Sequence, residues 1–314
     1  MRVIDAETIH RLLDFPSLIE ALRTMFRDGC EVPRRHHHPV PAAAPSGSDG
    51  TLLLMPAWQA GGALGVKIVT VFPDNAGRSL PAVHGTYILL DAATGVPAAV
   101  LDGTALTLRR TAAASALAAS YLVRRDGGVH LMVGTGALAP HLVAAHAAIR
   151  PIRQSLIWGR DPDKAAALAA RLTVQGIAAS PVADLAEAAG MADIVTCATL
   201  AREPLIRGAW LKPGAHLDLV GGYTPEMREG DDEAVARARV YIDTEAALQE
   251  AGDIVQPLRS GVLTREQVAG DLFGLCRHQT GGRRDAAEIT LFKSVGTALE
   301  DLAAARLVVG RLTD

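Results

Sequence analysis

The sequence predicts an α/β protein built on a doubly wound parallel sheet, with a second, α+β unit beside it. Three observations carry this expectation. An apolar strand, Val129-His-Leu-Met-Val133, runs into the glycine turn Gly134-Thr-Gly136 and then into the helical spacing of Leu138, Leu142 and Ala145. From residue 155 onward, strand and helix signatures alternate. Before residue 123, short β-runs instead follow one another across turn residues, the pattern of an antiparallel sheet.

The elements follow in order. A helix over residues 5–27 carries Ile9, Leu12, Leu13, Ile19, Leu22 and Phe26, with a break near Pro16. Residues 65–72, 84–90 and 96–101 read as strands, the last two joined by Asp91-Ala-Ala-Thr-Gly95 as a hairpin. A helix over 106–123 contains Thr111-Ala-Ala-Ala-Ser-Ala-Leu-Ala-Ala-Ser-Tyr121, which offers no charged face and so predicts burial on most sides. Beyond the glycine turn come strand Ser155-Leu-Ile-Trp158, helix 161–174, strand 177–180, helix 183–190, and strands 193–198 and 215–220. Helix 231–237 and strand 239–243 follow. Thr280-Gly-Gly-Arg-Arg284 reads as a mobile loop, while strand 288–292 and helix 296–309 are expected to pack back on the first unit. The expected division is therefore 124–284 for the parallel unit and 1–123 with 285–314 for the other, with a ligand cleft between them.

Composition excludes several classes. The chain of 314 residues is long enough for two substantial cores. Lysine and arginine total 31 against 34 acids, a net charge of -3, and no basic run exceeds two residues, so nucleic acid is not an expected partner. Scarce aromatics with abundant alanine and glycine suit closely packed helices and sheets. Cys30, Cys197 and Cys276 are widely spaced and odd in number, which predicts free thiols in a reducing compartment. Met1-Arg-Val-Ile-Asp-Ala lacks the pattern of a secretory signal and no apolar run approaches a membrane span, so the expected location is cytoplasmic, with no membrane partner.

The glycine turn carries the first chemical reading. Gly134-Thr-Gly136-Ala-Leu-Ala139 after an apolar strand is the Rossmann-type arrangement in which glycines let backbone approach a pyrophosphate held at a helix N-terminus. The same glycines could serve a plain strand-turn-helix, but the second strand at the right distance favours a dinucleotide. That strand ends in Gly159-Arg160-Asp161, and arginine suits a 2′-phosphate, so NADPH is expected, with NADH also admitted. Gly221-Gly222-Tyr223 follows strand 215–220 at the sheet edge where ligands lie, which puts Tyr223 near the nicotinamide end.

Charged residues on apolar elements carry the second. Arg110 lies in the first turns of the apolar helix, where a guanidinium needs an anion: a substrate carboxylate or a protein acid, as for neighbouring Arg109. Lys67 shares a strand face with Val69 and Val71, out of place unless it is used or reaches a sheet edge. His84 shares a face with Thr86 and is a candidate proton donor, or else a histidine bonded to its neighbours. In Arg34-Arg35-His36-His37-His38, only His36 and His38 can share a strand face, so Arg35 as an anion ligand is preferred to a metal site.

Taken together, the chain resembles the ornithine cyclodeaminase and mu-crystallin family over nearly its whole length. The matching motifs are Gly65-Val-Lys67, Gly77-Arg-Ser-Leu-Pro81, Leu108-Arg-Arg-Thr-Ala-Ala113, Val133-Gly-Thr-Gly136, Trp158-Gly-Arg160, Tyr241-Ile-Asp243 and Phe292-Lys-Ser-Val-Gly296. The resemblance implies a homodimer with an N-terminal substrate and dimerisation domain, a Rossmann domain and a returning C-terminal helix. It implies that Lys67 and Arg110, with Arg35, hold the carboxylate of a small amino or imino acid. It further implies a cofactor held by Gly134, Thr135, Gly136, Ala137 and Leu138 at the pyrophosphate and by Trp158, Gly159, Arg160 and Asp161 at the adenosine end. Ala198, Thr199, Val220, Gly221, Ser294, Val295 and Gly296 complete the cofactor contacts.

At Tyr223 the chain departs from the family's cyclising enzymes, which carry an aspartate after the paired glycines. A neutral phenol does not replace a carboxylate that binds an ammonium and accepts its proton. This version resembles the branch that reduces cyclic ketimines, such as Δ1-pyrroline-2-carboxylate to L-proline or its six-membered analogue, with Lys67, Arg110, His84 and Tyr223 as the catalytic candidates. The alternatives are an NAD-dependent ornithine cyclodeaminase, an alanine-type amino-acid dehydrogenase, and a mu-crystallin-like ligand-binding protein.

Overall fold

The computed structural model describes residues 1–42 and 47–312. Its contacts divide the chain into two compact units: Met1–Thr111 with residues from Thr297 onward, and Ala112–Gly296.

The first unit begins with β1 (Arg2–Ile4), α1 (Ala6–Leu12) and α2 (Phe15–Asp28). The break near Pro16 is real: Asp14 caps α2 by accepting from the Ser17 N–H, and Pro16 occupies the first turn, where its missing donor costs nothing. Strands β2 (His36–Val40), β3 (Gly50–Trp58), β4 (Ala63–Val71), β5 (Val83–Asp91) and β6 (Pro97–Asp102) follow. They form a sheet in the order β1-β6-β5-β4-β3-β2, antiparallel except where β1 runs parallel to β6. The Asp91 carboxylate accepts from the N–H groups of Ala93 and Thr94, which closes the expected hairpin. Helix α3 (Gly103–Leu122) then runs from one unit into the other, and its alanines from Ala112 to Ala119 are buried as their sequence requires.

The second unit contains β7 (Val129–Val133), α4 (Ala139–Ile149), β8 (Gln154–Trp158), α5 (Pro162–Val174), β9 (Ala179–Pro181), α6 (Leu185–Met191) and β10 (Ile194–Cys197). It continues with β11 (His216–Leu219), α7 (Asp232–Arg237), β12 (Ala238–Ile242), α8 (Ala247–Glu250), α9 (Gly252–Ser260), β13 (Val268–Asp271), α10 (Leu272–Cys276) and β14 (Ile289–Lys293). All eight strands are parallel, ordered β13-β12-β14-β11-β10-β7-β8-β9, so the strand order reverses between β7 and β10. Helix α11 (Ala298–Arg311) returns to the first unit, where its Leu299 and Leu302 join Leu18, Leu22 and Phe26 of α2 in the core.

Two sequence expectations are corrected. Residues 288–292 do not join the first unit: β14 sits between β11 and β12 in the parallel sheet, all five of its residues buried, as an interior parallel strand demands on both faces. The units accordingly change over at Thr111/Ala112 and Gly296/Thr297 rather than at 123/124 and 284/285. Nor is 280–284 a loose loop. The Arg283 guanidinium donates to the carbonyls of Leu122 and Ala215, and the Tyr241 hydroxyl donates to the carbonyls of Gly281 and Gly282, because a buried phenol needs an acceptor.

Candidate active site

In the first unit the chemistry gathers where α3 and α11 face β4. Lys67 lies on the inward face of β4, 2% exposed, its Nζ 2.7 Å from Asp301 Oδ2 and 3.3 Å from the Thr107 hydroxyl. Arg110, 6% exposed, donates from Nε to Asp301 Oδ1 at 3.1 Å and from Nη1 to Glu300 Oε2 at 2.6 Å. Asp301 therefore bridges the two cations. Burial, with Arg110 alongside, pulls the Lys67 ammonium down to about 8 against the opposing pull of Asp301 and Glu300. Both cations thus have protein acids as partners, and the four groups sum to no net charge. Gly65 in the same motif leaves room for the Tyr87 hydroxyl, which would lie 2.0 Å from a Cβ placed there.

Glu300 and Asp301 were not foreseen. The sequence offered a partial signal, two adjacent acids among apolar residues in the first turn of the helix; because the structure buries both fully, they must have cationic partners. Arg35 is half-buried just before β2. His84, the candidate proton donor, does not stand beside Lys67. In the β4/β5 register Lys67 opposes Tyr87 and Thr70 opposes His84, and side chains alternate, so the exposed His84 faces the other side of the sheet.

In the second unit the sequence-predicted turn residues assemble at the reversal of strand order. Gly134 ends β7 with φ 120°, and its N–H donates to the Trp158 carbonyl at 2.9 Å. A Cβ at Gly134 would lie 2.7 Å from the carbonyl oxygen of Ala198, so only glycine fits between the ends of β7 and β10. A Cβ at Gly136 would meet nothing, and Leu138 starts α4 without any capping side chain. Open space over a glycine turn that leads into a helix N-terminus occupied by no capping side chain is what a pyrophosphate requires, so the residues fit the group. A cavity of about 520 Å³ is lined here by Thr135, Trp158, Arg160, Lys164, Thr199 and Arg202 among others.

Beyond the turn, Arg160 is exposed on the cavity wall. Asp161 lines the cavity too, but its Oδ1 caps α5, accepting from the N–H groups of Asp163 and Lys164. Asp243 is fully buried, and its Oδ2 accepts from the N–H groups of Val295 and Gly296, which sets the turn after β14. Val220 and Gly221 follow β11, and Tyr223 stands exposed two residues beyond Gly221.

A glycine turn at the switch point of a parallel sheet, leading to an uncapped helix, defines a Rossmann-type dinucleotide-binding protein. The chain belongs to the ornithine cyclodeaminase/mu-crystallin family, whose model matches residues 3–314. It is 37% identical to the Delta(1)-pyrroline-2-carboxylate reductase of Colwellia psychrerythraea over 100% of both chains. Among solved structures it is similar to the Thermococcus litoralis Delta(1)-pyrroline-2-carboxylate reductase in complex with NADH and L-proline, at 32% identity and TM-score 0.92 over 100% of this chain and 98% of that one. It is also similar to an archaeal alanine dehydrogenase dimer with bound NAD, at 27% identity and TM-score 0.90 over 100% and 96%.

Proposed function

We propose that this protein is an NAD(P)H-dependent reductase of cyclic ketimines such as Δ1-pyrroline-2-carboxylate, which it converts to L-proline, or Δ1-piperideine-2-carboxylate. The observation that carries the reading is the Lys67–Asp301–Arg110 bridge: two buried cations held side by side, in a chain similar throughout to reductases of that name. Arg110 and Lys67 receive the substrate carboxylate, with Arg35 as a third basic ligand. Because Glu300 and Asp301 already balance the two cations, a zwitterionic substrate, carboxylate and protonated imine together, adds no net charge to a dry site. Hydride addition to the protonated imine leaves a neutral ring amine, and Lys67, at about 8, is still protonated at neutral pH yet a stronger acid than an ordinary lysine, so it is suited to give that amine the proton that makes it the product ammonium.

A nicotinamide coenzyme, when bound, would supply hydride for the imine carbon. Gly134 to Leu138 would hold its pyrophosphate, and Ser294 to Gly296, fixed by Asp243, would flank its other end. NADPH is preferred: Arg160 and Lys164 stand on the cavity wall, while Asp161, the carboxylate that could select a 2′-hydroxyl, is engaged as a cap. The working form is a homodimer. Leu54, Val66, Ile68, Ile88 and Val100 form a half-exposed apolar patch on the outer face of the first sheet, a surface that a second copy would cover. Its three cysteines are free, which fits a cytoplasmic location.

The test supplies Δ1-pyrroline-2-carboxylate with NADPH and looks for L-proline, with L-ornithine plus NAD, and pyruvate plus ammonia, as parallel arms. Product from ornithine alone would replace this reading with the cyclodeaminase. Product from pyruvate alone would replace it with the alanine dehydrogenase.

A further inference from the structure

Glu229 lies fully buried under the turns at the carboxyl edge of the parallel sheet, and nothing in the chemistry above uses it. Its Oε1 accepts from the Thr199 N–H at 2.7 Å and the Thr199 hydroxyl at 2.8 Å, while its Oε2 accepts from the Gly221 N–H at 2.8 Å. Thr199 follows β10 and Gly221 follows β11, so one carboxylate ties together the exits of two adjacent strands. The approach is close: a Cβ at Gly221 would lie 2.0 Å from the Thr199 carbonyl oxygen. Asp253 sets Glu229 in turn, accepting the N–H groups of Glu229 and Gly230 at 2.7 and 3.1 Å and pairing with Lys293 at 3.2 Å. Thr199 and Ala198 line the cofactor cavity.

We propose that Glu229 is a positioning residue for the dinucleotide, holding the turns after β10 and β11 in the geometry that receives the cofactor. The proposal rests on the dinucleotide reading above. A brace serving the fold alone would not need a charge here, because the cluster sets two carboxylates, Glu229 and Asp253, against the ammonium of Lys293. Burial pushes Glu229 up to about 7, partly offset by Lys293 and reinforced by Asp253. The carboxylate thus costs stability and yet is the form that accepts all three donors, which is the mark of a group retained for geometry rather than for folding.

The two roles separate in Glu229→Gln. The amide oxygen keeps the Thr199 bonds, the amide nitrogen then faces the Gly221 N–H donor to donor, and the repulsion from Asp253 disappears. Without cofactor, the variant's Tm should equal or exceed that of the parent. Its Kd for NADPH, read by fluorescence titration with no substrate present, should rise on the order of tenfold. Glu229→Asp, which restores the charge at shorter reach, should recover part of that loss. NADH affinity of the parent should weaken as pH falls through about 7 as Glu229 takes up its proton. In Glu229→Gln the same profile should be flat. A glutamine variant that binds NADPH like the parent, or one whose Tm and affinity fall together, would overturn the proposal. A parent that binds neither coenzyme would overturn the dinucleotide reading and this proposal with it.

Discussion

Acid should destabilise the parallel-sheet unit well above the range where carboxylates titrate, and two histidines set the size of the effect. His130 and His216 are both 0% exposed, on β7 and β11. The His130 Nε2 bonds the Thr196 hydroxyl at 3.1 Å, and that hydroxyl also meets His146 Nε2, itself 3.3 Å from Asp218. The His216 Nδ1 bonds the Thr290 hydroxyl at 2.9 Å. Burial is the main cause that holds both rings far below the ordinary value of 6.5, with His146 next for each and Arg283 and Arg150 adding to the effect at His216. The folded state keeps them neutral while the unfolded chain protonates them below about pH 6.5, so stability is complete above that value and declines as pH falls. Each ring contributes a little over about 1 kcal/mol per pH unit, so the pair gives between about 2 and 3. Glu229 opposes them: its raised value means that the folded state binds an extra proton below about 7, which cancels roughly one histidine. The net expectation is a loss of just over about 1 kcal/mol per pH unit between roughly pH 6.5 and 5, to which half-buried His10 adds a smaller share of the same sign. Urea unfolding at about pH 7.5, 6.5 and 5.5, followed by tryptophan fluorescence, measures the slope. His130→Gln and His216→Asn, which keep the bonding nitrogen positions, should each flatten it, whatever they do to absolute stability, and Glu229→Gln should steepen it. A slope unchanged in both histidine variants would refute the assignment.

Arg110→Met should lower kcat/KM for the imino acid by at least about a hundredfold, since it removes a charge-assisted carboxylate contact, while NADPH titration stays near the parent's value. Lost coenzyme affinity with retained turnover would show Arg110 to be misassigned. Arg160→Ala should weaken NADPH by on the order of 10- to 100-fold and NADH by much less; equal weakening of both removes the 2′-phosphate role. Tyr223→Phe should keep most of the reductase activity, because hydride delivery to a preformed ring imine needs no carboxylate or hydroxyl there, and an inactive variant would make Tyr223 a participant. Asp161→Ala, which deletes the cap of α5, should cost about 1 kcal/mol in denaturant unfolding; no change would mean that the capping bonds carry no net stability.

What the sequence determined by itself was local. Strand, glycine turn and helix between Val129 and Ile149 are encoded within a few residues of one another, since apolar periodicity and the need for glycine at Gly134 act over one or two turns of chain. The same holds for the break at Pro16 and the hairpin at Asp91. The oddity of Lys67 and Arg110 on apolar elements was legible too, because a charge amid alanines and valines is visible without a fold. Their partners were not. Asp301 lies 234 residues from Lys67 in sequence and 191 from Arg110, and only the packing of α11 onto β4 and α3 decides which acid neutralises which base. Tertiary structure also placed β14 in the interior of the sheet, set His84 on the face away from Lys67 through strand register, and gave Asp161 a capping role beside its place on the cavity wall. Glu229 became visible only once β10 and β11 stood side by side, because its three donors come from turns that sequence leaves 22 residues apart and topology makes neighbours. Local pattern chooses elements at short range, whereas the pairing of buried charges and donors is a property of the assembled core.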